Sequence, residues 1–347
     1  MTEPQYTLVT LDYPPQRGGV ARYLSQLVDA SKGAIRVIVA KKETDPMPRW
    51  WQLVWTCWKE RSCSKALLIS HVFPVGTAAW VARIFGGPRY VVIVHGLDIR
   101  LASSWLKRWL LAQICWNAHA VIVNSESTKM DLNAKLLNVE CHVITPGVID
   151  EGYPTRDEAR RHLSIDSSTE LVVSVCRLVP RKGIDFSLRV LSRLQTSRNV
   201  MYVVVGDGMD AERLVTVARD VRARVTWVRN AEDADVKAWL AAADVFLLPV
   251  REDEKDVEGF GIVYLEAALA GIPSVAGKSG GAREAVVHER TGLLVNPNHL
   301  DEIAAAVGEL LDDVDRRKRL GAEGRARAIQ DFGWEERWMR LLGILPR

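Results

Sequence analysis

The 347-residue sequence has no apolar run near the roughly eighteen residues that a membrane-crossing helix requires. Its start, Met1-Thr-Glu-Pro-Gln-Tyr6, lacks the basic and apolar regions of a secretory leader, so a cytoplasmic protein is expected. The five cysteines, Cys57, Cys63, Cys115, Cys141 and Cys176, are odd in number and show no Cys-x-x-Cys spacing, which argues against a disulfide framework and against a thiolate zinc site. No Gly-x-Gly-x-x-Gly fingerprint opens the first helix, which argues against an ordinary dinucleotide-binding domain. Charge of one sign is scarce too, with 46 Lys and Arg against 43 Asp and Glu. So small a basic excess, with aromatics at helical rather than strand spacing, argues against a nucleic-acid partner.

The length suits two domains of ordinary size. The first 150 residues carry 17 Lys and Arg against 11 Asp and Glu, while the remainder carries 29 against 32, so the first half is the basic one. It also holds eight of the twelve tryptophans. Within it, short β-branched runs at 7–11, 35–40, 66–73, 90–98, 120–124 and 141–145 read as buried strands, alternating with amphipathic stretches such as 20–30. The first of these units has Gly18 and Gly19 at its helix start, placed either to let a diphosphate approach or simply to make a tight turn. His71 and His95 follow two of the strands. In a parallel sheet such positions border the ligand crevice, which makes His95 a site candidate that either donates to a phosphate or sugar hydroxyl or accepts a proton. His71 reads as a structural histidine.

Two segments, 49–61 and 105–116, place Trp51, Trp55, Trp58, Trp105, Trp109 and Trp116 at helical spacing beside Arg49, Lys59, Arg61, Lys107 and Arg108. That combination suits the headgroup boundary of an anionic membrane; the alternative is ordinary packing within or between domains.

A polar linker with a short helix occupies 151–165, and a second strand–helix series follows with strands near 171–177, 201–205, 225–228, 245–248, 273–276 and 292–295. Alternation of this kind means parallel sheets covered on both faces. Arg177-Leu-Val-Pro-Arg-Lys-Gly183 lies just past a strand end, where Arg177 and Lys182 either neutralise a diphosphate or form a solvated basic turn. Glu258-Gly-Phe-Gly-Ile-Val-Tyr-Leu-Glu266 reads as a loop running into a helix start. Gly259 and Gly261 allow close backbone approach, and helix-start amides attract phosphate. Glu258 and Glu266 bracket these amides; ionised carboxylates only accept hydrogen bonds, which suits sugar and ribose hydroxyls. The same two glutamates also read as solvated helix-end charges. Asp233-Ala-Asp235 looks like a metal pair but falls in a helix first turn, where the dipole favours acids.

Taken in order, Gly18-Gly19, His95-Gly-Leu-Asp98, Thr145-Pro-Gly-Val148, Arg177 with Lys182-Gly183, Gly206-Asp-Gly208, Glu258–Glu266, Gly280-Gly281 and Thr291-Gly-Leu-Leu294 resemble the retaining glycosyltransferases of family 4 across essentially the whole chain. The resemblance implies the α/β GT-B fold, two Rossmann-like parallel-sheet domains facing across a cleft. The domains would span 1–150, on the acceptor side, and 151–331, on the nucleotide-sugar side, with 332–347 returning as a helix onto the first. It also implies roles: Arg177 and Lys182 on the donor diphosphate, Glu258 on a sugar hydroxyl, Glu266 on the ribose, and backbone from Gly259, Phe260, Gly261, Ile262 and Val263 against sugar and phosphate. Gly18 and Gly19 would join the donor site, and His95 would lie near the reacting centre. No cofactor or metal is expected, because cations and helix amides supply the positive charge.

The stretches 177–183, 257–267 and 276–281 are most similar to bacterial GDP-mannose-dependent mannosyltransferases acting on lipid acceptors in cell-envelope synthesis. That implies a nucleotide-sugar donor, a lipid-linked or glycan acceptor, and a place on the inner face of the plasma membrane. The sequence departs from the family's usual pattern at Cys176, Arg229 and Ala282-Arg283. A UDP-sugar-dependent transferase, an epimerase of the same fold and a non-catalytic membrane-surface protein are the competing readings.

Overall fold

The computed structural model describes residues 4–16, 18–41, 48–136, 139–252 and 258–346. Residues 1–3, 17, 42–47, 137–138, 253–257 and 347 lie outside the described residues. Two compact units are formed, one from the chain up to Gly147 together with 258–260 and the C-terminal segment from Phe332, the other from Val148 onward and Gly261–Asp331. The Glu258 motif, read in sequence as one piece, is thus divided, with its first three residues grouped with the first unit.

The first unit is built on six strands: β1 (Tyr6–Thr10), β2 (Ile35–Val39), β3 (Ala66–Ile69), β4 (Arg89–Val94), β5 (Ala120–Val123) and β6 (Cys141–Val143). They pair in parallel in the order β2-β1-β3-β4-β5-β6. β3 and the last five residues of β4 are buried, as expected of β-branched runs covered on both faces. β3 ends at Ile69 and β4 at Val94, so His71 and His95 follow their strands as the sequence suggests, and a helix starts at Gly96. Asp98 links the two ends: its carboxylate accepts the amide of His95 at 2.9 Å and that of Val72 at 3.1 Å.

The second unit carries β7 (Glu170–Val175), β8 (Val200–Val205), β9 (Val225–Val228), β10 (Val245–Leu248), β11 (Ser274–Gly277) and β12 (Gly292–Val295). All its pairs are parallel, and the order is β12-β11-β10-β7-β8-β9. The linker does contain a short helix, Arg156–His162. Beneath it Asp244 is held at 2.8 Å by both Arg156 and Arg160 and at 3.3 Å by Arg317. In each unit the strand order reverses beside the first strand, between β1 and β3 and between β7 and β10. Crevices for ligands open at such switch points, beyond the carboxyl ends of the strands.

The final helix, Trp334–Ile344, packs on the helix Gly19–Ala30 of the first unit. Trp334 donates to Gln26 at 2.9 Å and meets Tyr23 edge-on at 5.3 Å, and the buried Arg337 donates to Thr145 and Pro146.

Candidate active site

In the second unit the loops beyond β7, β8 and β10 are fastened to one another. Leu178 donates to the carbonyl of Asp207 at 2.8 Å, Asp210 donates back to Leu178, and Arg251 donates from its main chain to Arg181 at 2.8 Å. Gly183 ends the basic turn at φ 71, with the carbonyl of Pro249 only 2.3 Å from where a Cβ would stand. Both the left-handed backbone and the close approach call for glycine there. Arg177 is exposed at the start of this turn, whereas the Lys182 side chain is buried at its end.

The helix Ile262–Leu269 starts at Gly261, whose φ of 86 again suits glycine. Its first turn leaves the amides of Ile262 and Val263 without intrahelical acceptors, the arrangement that binds anions. Tyr264 anchors the helix by donating its hydroxyl to Leu248 at 2.7 Å, and Glu266 is buried one turn further in. The basic turn and this helix start therefore both belong to the switch point beside β7 and β10. Asp235 of the acidic pair accepts the amide of Glu232 at 3.0 Å, so it caps its helix.

In the first unit Glu258 and Phe260 are buried, and Gly259 lies so close to Asn124 at the end of β5 that a Cβ would come within 2.7 Å of its amide nitrogen. Phe260 stands 5.7 Å from Phe332. Beyond β1, Gly18 is extended, and among the described residues nothing lies within 4 Å of a Cβ built at Gly18 or Gly19. Neither a positive φ nor crowding by a neighbour accounts for the di-glycine, which weakens the tight-turn reading of it.

The histidines meet beside the switch point of the first unit. His71 bonds to Ser70 at 2.7 Å and to Asp12 at 3.2 Å, a satisfied structural histidine as its sequence setting suggests. Its ring centroid lies 6.4 Å from that of His95. His95 is buried, and its Nε2 has no hydrogen-bond partner among the described residues. Burial, with the neighbouring His71 adding to it, pushes the His95 pKa down to about 3, so this imidazole is neutral near pH 7. Burial also raises Asp98 to about 6, against the opposing pull of the two amides it accepts. A neutral imidazole with one buried, unpartnered nitrogen can serve a ligand either as donor or as acceptor. Asp12 and Arg251 were missed as supporting residues, whereas Asp98 was named together with His95. Asp98 alone carried a signal, three residues after the His95 that opens a helix, where a carboxylate reaches back to the cap amide.

Comparison with known proteins decides the family. Residues 155–327 match the glycosyl transferases group 1 domain and residues 7–151 the glycosyltransferase family 4 domain. A GDP-mannose-dependent alpha-(1-6)-phosphatidylinositol monomannoside mannosyltransferase of Mycolicibacterium smegmatis is 30% identical, with 97% of each chain covered. The chain belongs to this glycosyltransferase family. The corresponding enzyme of Mycobacterium tuberculosis is likewise 30% identical over 97% of each chain. Among solved structures, sucrose-phosphate synthase from Thermosynechococcus elongatus superposes with a TM-score of 0.82 at 22% identity, covering 98% of both chains. Anabaena HepE in complex with UDP and glucose gives 0.79 at 20%, covering 98% of this chain and 99% of HepE. The fold is thus GT-B, and the protein is a glycosyltransferase.

Proposed function

We propose that this glycosyltransferase moves a mannosyl residue from GDP-mannose to a lipid-linked or glycan acceptor with retention of anomeric configuration. The observation carrying the donor site is the pairing, at one switch point, of the basic turn ending in Lys182 and Gly183 with the helix start at Gly261. Mannose and guanine rest on the whole-chain similarity to GDP-mannose-dependent enzymes.

On this reading Arg177 and Lys182 neutralise the diphosphate and stabilise it as charge builds on the leaving oxygen. The backbone of Gly259 to Val263 faces sugar and phosphate, Glu258 accepts from a sugar hydroxyl, Glu266 accepts from the ribose, and Gly18-Gly19 lets the diphosphate approach. His95 lies near the reacting centre, where its unpartnered Nε2 offers a hydrogen bond to the sugar. The oxocarbenium-like sugar is attacked from the face that the diphosphate leaves, and the departing phosphate oxygen takes the acceptor's proton. Side-chain cations and helix amides do this work without a metal. The Trp-rich helices of the first unit bring the enzyme to an anionic membrane surface, where a lipid-linked acceptor resides. Among the described residues no helix is long and apolar enough to cross a membrane.

The test is thermal stabilisation by GDP, UDP, ADP and their sugar conjugates, with and without EDTA. A ligand at about 100 times its dissociation constant adds roughly 2.7 kcal/mol. A guanine-selective shift that survives EDTA and is lost in Lys182→Ala is the expected result. A uridine-selective shift would instead favour the second reading, a UDP-sugar donor, which the likeness to the UDP-bound HepE structure keeps in view. No shift from any nucleotide would overturn the donor site itself.

A further inference from the structure

We propose that a groove on the first unit, formed by the helix Trp50–Lys59 and the turn at Phe85, is a seat for one acyl chain of an anionic membrane phospholipid. The inference rests on the membrane-facing part of the reading above, and is independent of which donor or acceptor sugar is used.

The groove is shallow and widely open to solvent, lined by Trp51, Val54, Trp55, Trp58 and Phe85, and offers about 620 Å³. Leu53 and Cys57, on the other side of the helix, fill the core and Val54 and Trp58 pack against it, so Trp51 and Trp55 are the tryptophans of the lining that are surplus to it. Trp51 and Trp55 are each 52% exposed and Phe85 is 72% exposed. Trp58 satisfies its one polar atom by donating to the carbonyl of Phe85 at 3.0 Å, so the lining presents carbon. Trp55 and Trp58 stack with centroids 5.0 Å apart. A concavity of this kind gains from a chain laid into it, because each methylene covered leaves water.

Charge selects the occupant. The helices Trp50–Lys59, Thr77–Ile84 and Trp105–Asn117 pack in succession and contain no Asp or Glu, but carry Lys59, Arg83, Lys107 and Arg108. The Arg61 guanidinium lies 3.2 Å over the Trp58 ring and Lys59 lies 5.3 Å from that of Trp55, placing cations beside the groove. The first and third of these helices also carry all the exposed tryptophans among the described residues, including Trp50, Trp105, Trp109 and Trp116. Aromatics, exposed aliphatics and cations without acids suit a phosphate headgroup layer with hydrocarbon beneath it. A protein partner's mixed-charge rim would be met by both signs.

The experiment uses full-length protein and palmitoyl-lysophosphatidylglycerol below its micellar concentration, with a chain-brominated form to quench tryptophan. Saturable quenching by one molecule per chain is expected, weaker for the choline analogue. Val54→Phe, which fills the groove, should lower affinity at least about tenfold, a loss of ~1.4 kcal/mol. Phe85→Asp, at an exposed turn, should do the same without burdening the fold, and Arg61→Glu should abolish the preference for the anionic headgroup. Binding to anionic vesicles without single-chain binding would overturn the proposal and leave only a flat interfacial contact. Single-chain binding indifferent to Val54→Phe and Phe85→Asp, or no lipid binding at all, would also overturn it. Transfer to a water-soluble acceptor, unchanged in Val54→Phe and Phe85→Asp, separates this outcome from failure of the donor site.

Discussion

Arg251, three residues beyond β10, is fastened to the turn beyond β7 at two points: its amide donates to the carbonyl of Arg181 at 2.8 Å and its guanidinium to that of Pro180 at 2.6 Å. The same guanidinium pairs with Asp185 at 2.8 Å and lies 4.7 Å over Phe186. It therefore sets where the Arg177–Gly183 turn stands, without itself being part of it.

If that turn holds the donor diphosphate, Arg251→Ala should weaken nucleoside diphosphate binding about tenfold, the loss of one charge-assisted hydrogen bond at ~1.5 kcal/mol or more. Nucleoside monophosphate binding should move much less, and Arg251→Lys should recover part of the loss. Competition binding with both nucleotides checks this; equal weakening of the two would show a general collapse instead.

Gly261→Ala should cost about 1–2 kcal/mol, because an L-residue in the left-handed region meets its own carbonyl. Since the strain falls at the helix start, transfer activity should fall by more than global stability does. Thermal unfolding and initial rates, measured on the same preparation, give the two numbers.

Acid should destabilise the first unit through His95. Its pKa falls from 6.5 unfolded to about 3 folded, so its contribution is complete above pH 6.5 and is lost progressively as pH drops to 3. Asp98, raised from 3.8 to about 6, acts with the opposite sign: its contribution is complete below pH 3.8 and is lost as pH rises to 6. Urea unfolding between pH 3 and 7 should therefore show a shallower acid loss in His95→Gln than in the parent, and a steeper one in Asp98→Asn.

Gly147→Ala should destabilise by about 1–3 kcal/mol, the range for overpacking a filled site. A Cβ there would stand 2.8 Å from the Trp334 ring, which is buried and held by Gln26. Trp334→Ala in the same background should relieve the clash, so a double-mutant cycle on unfolding free energy should show strong coupling between the two sites.

The strands were legible because parallel sheets buried on both faces write themselves as runs of Val, Ile and Leu, and β7 through β12 lie within a residue or two of where those runs fall. The ends of β3 and β4 were legible from the histidines that follow them, but the link between those ends, the Asp98 carboxylate taking the amides of His95 and Val72, was not. The Gly261 helix start was readable from its glycines and the apolar run after it. Arg251 was not: its partners Pro180, Arg181 and Asp185 lie 66 to 71 residues away, and only the strand order brings them together. The division of the Glu258 motif between the two units also has no local signal, because Asn124 and Phe332, which its first residues meet, are remote in sequence.

Trp334, Arg337 and the carbonyl of Pro346, which accepts from Tyr6 at 3.2 Å, make the last residues of the chain part of the first unit. All described residues of the second unit, 148–252 and 261–331, precede in sequence the helix that closes the first. The unit that begins first is thus the one completed last, and truncation before Phe332 would leave every described residue of the second unit in place while baring the Tyr23 face of the first.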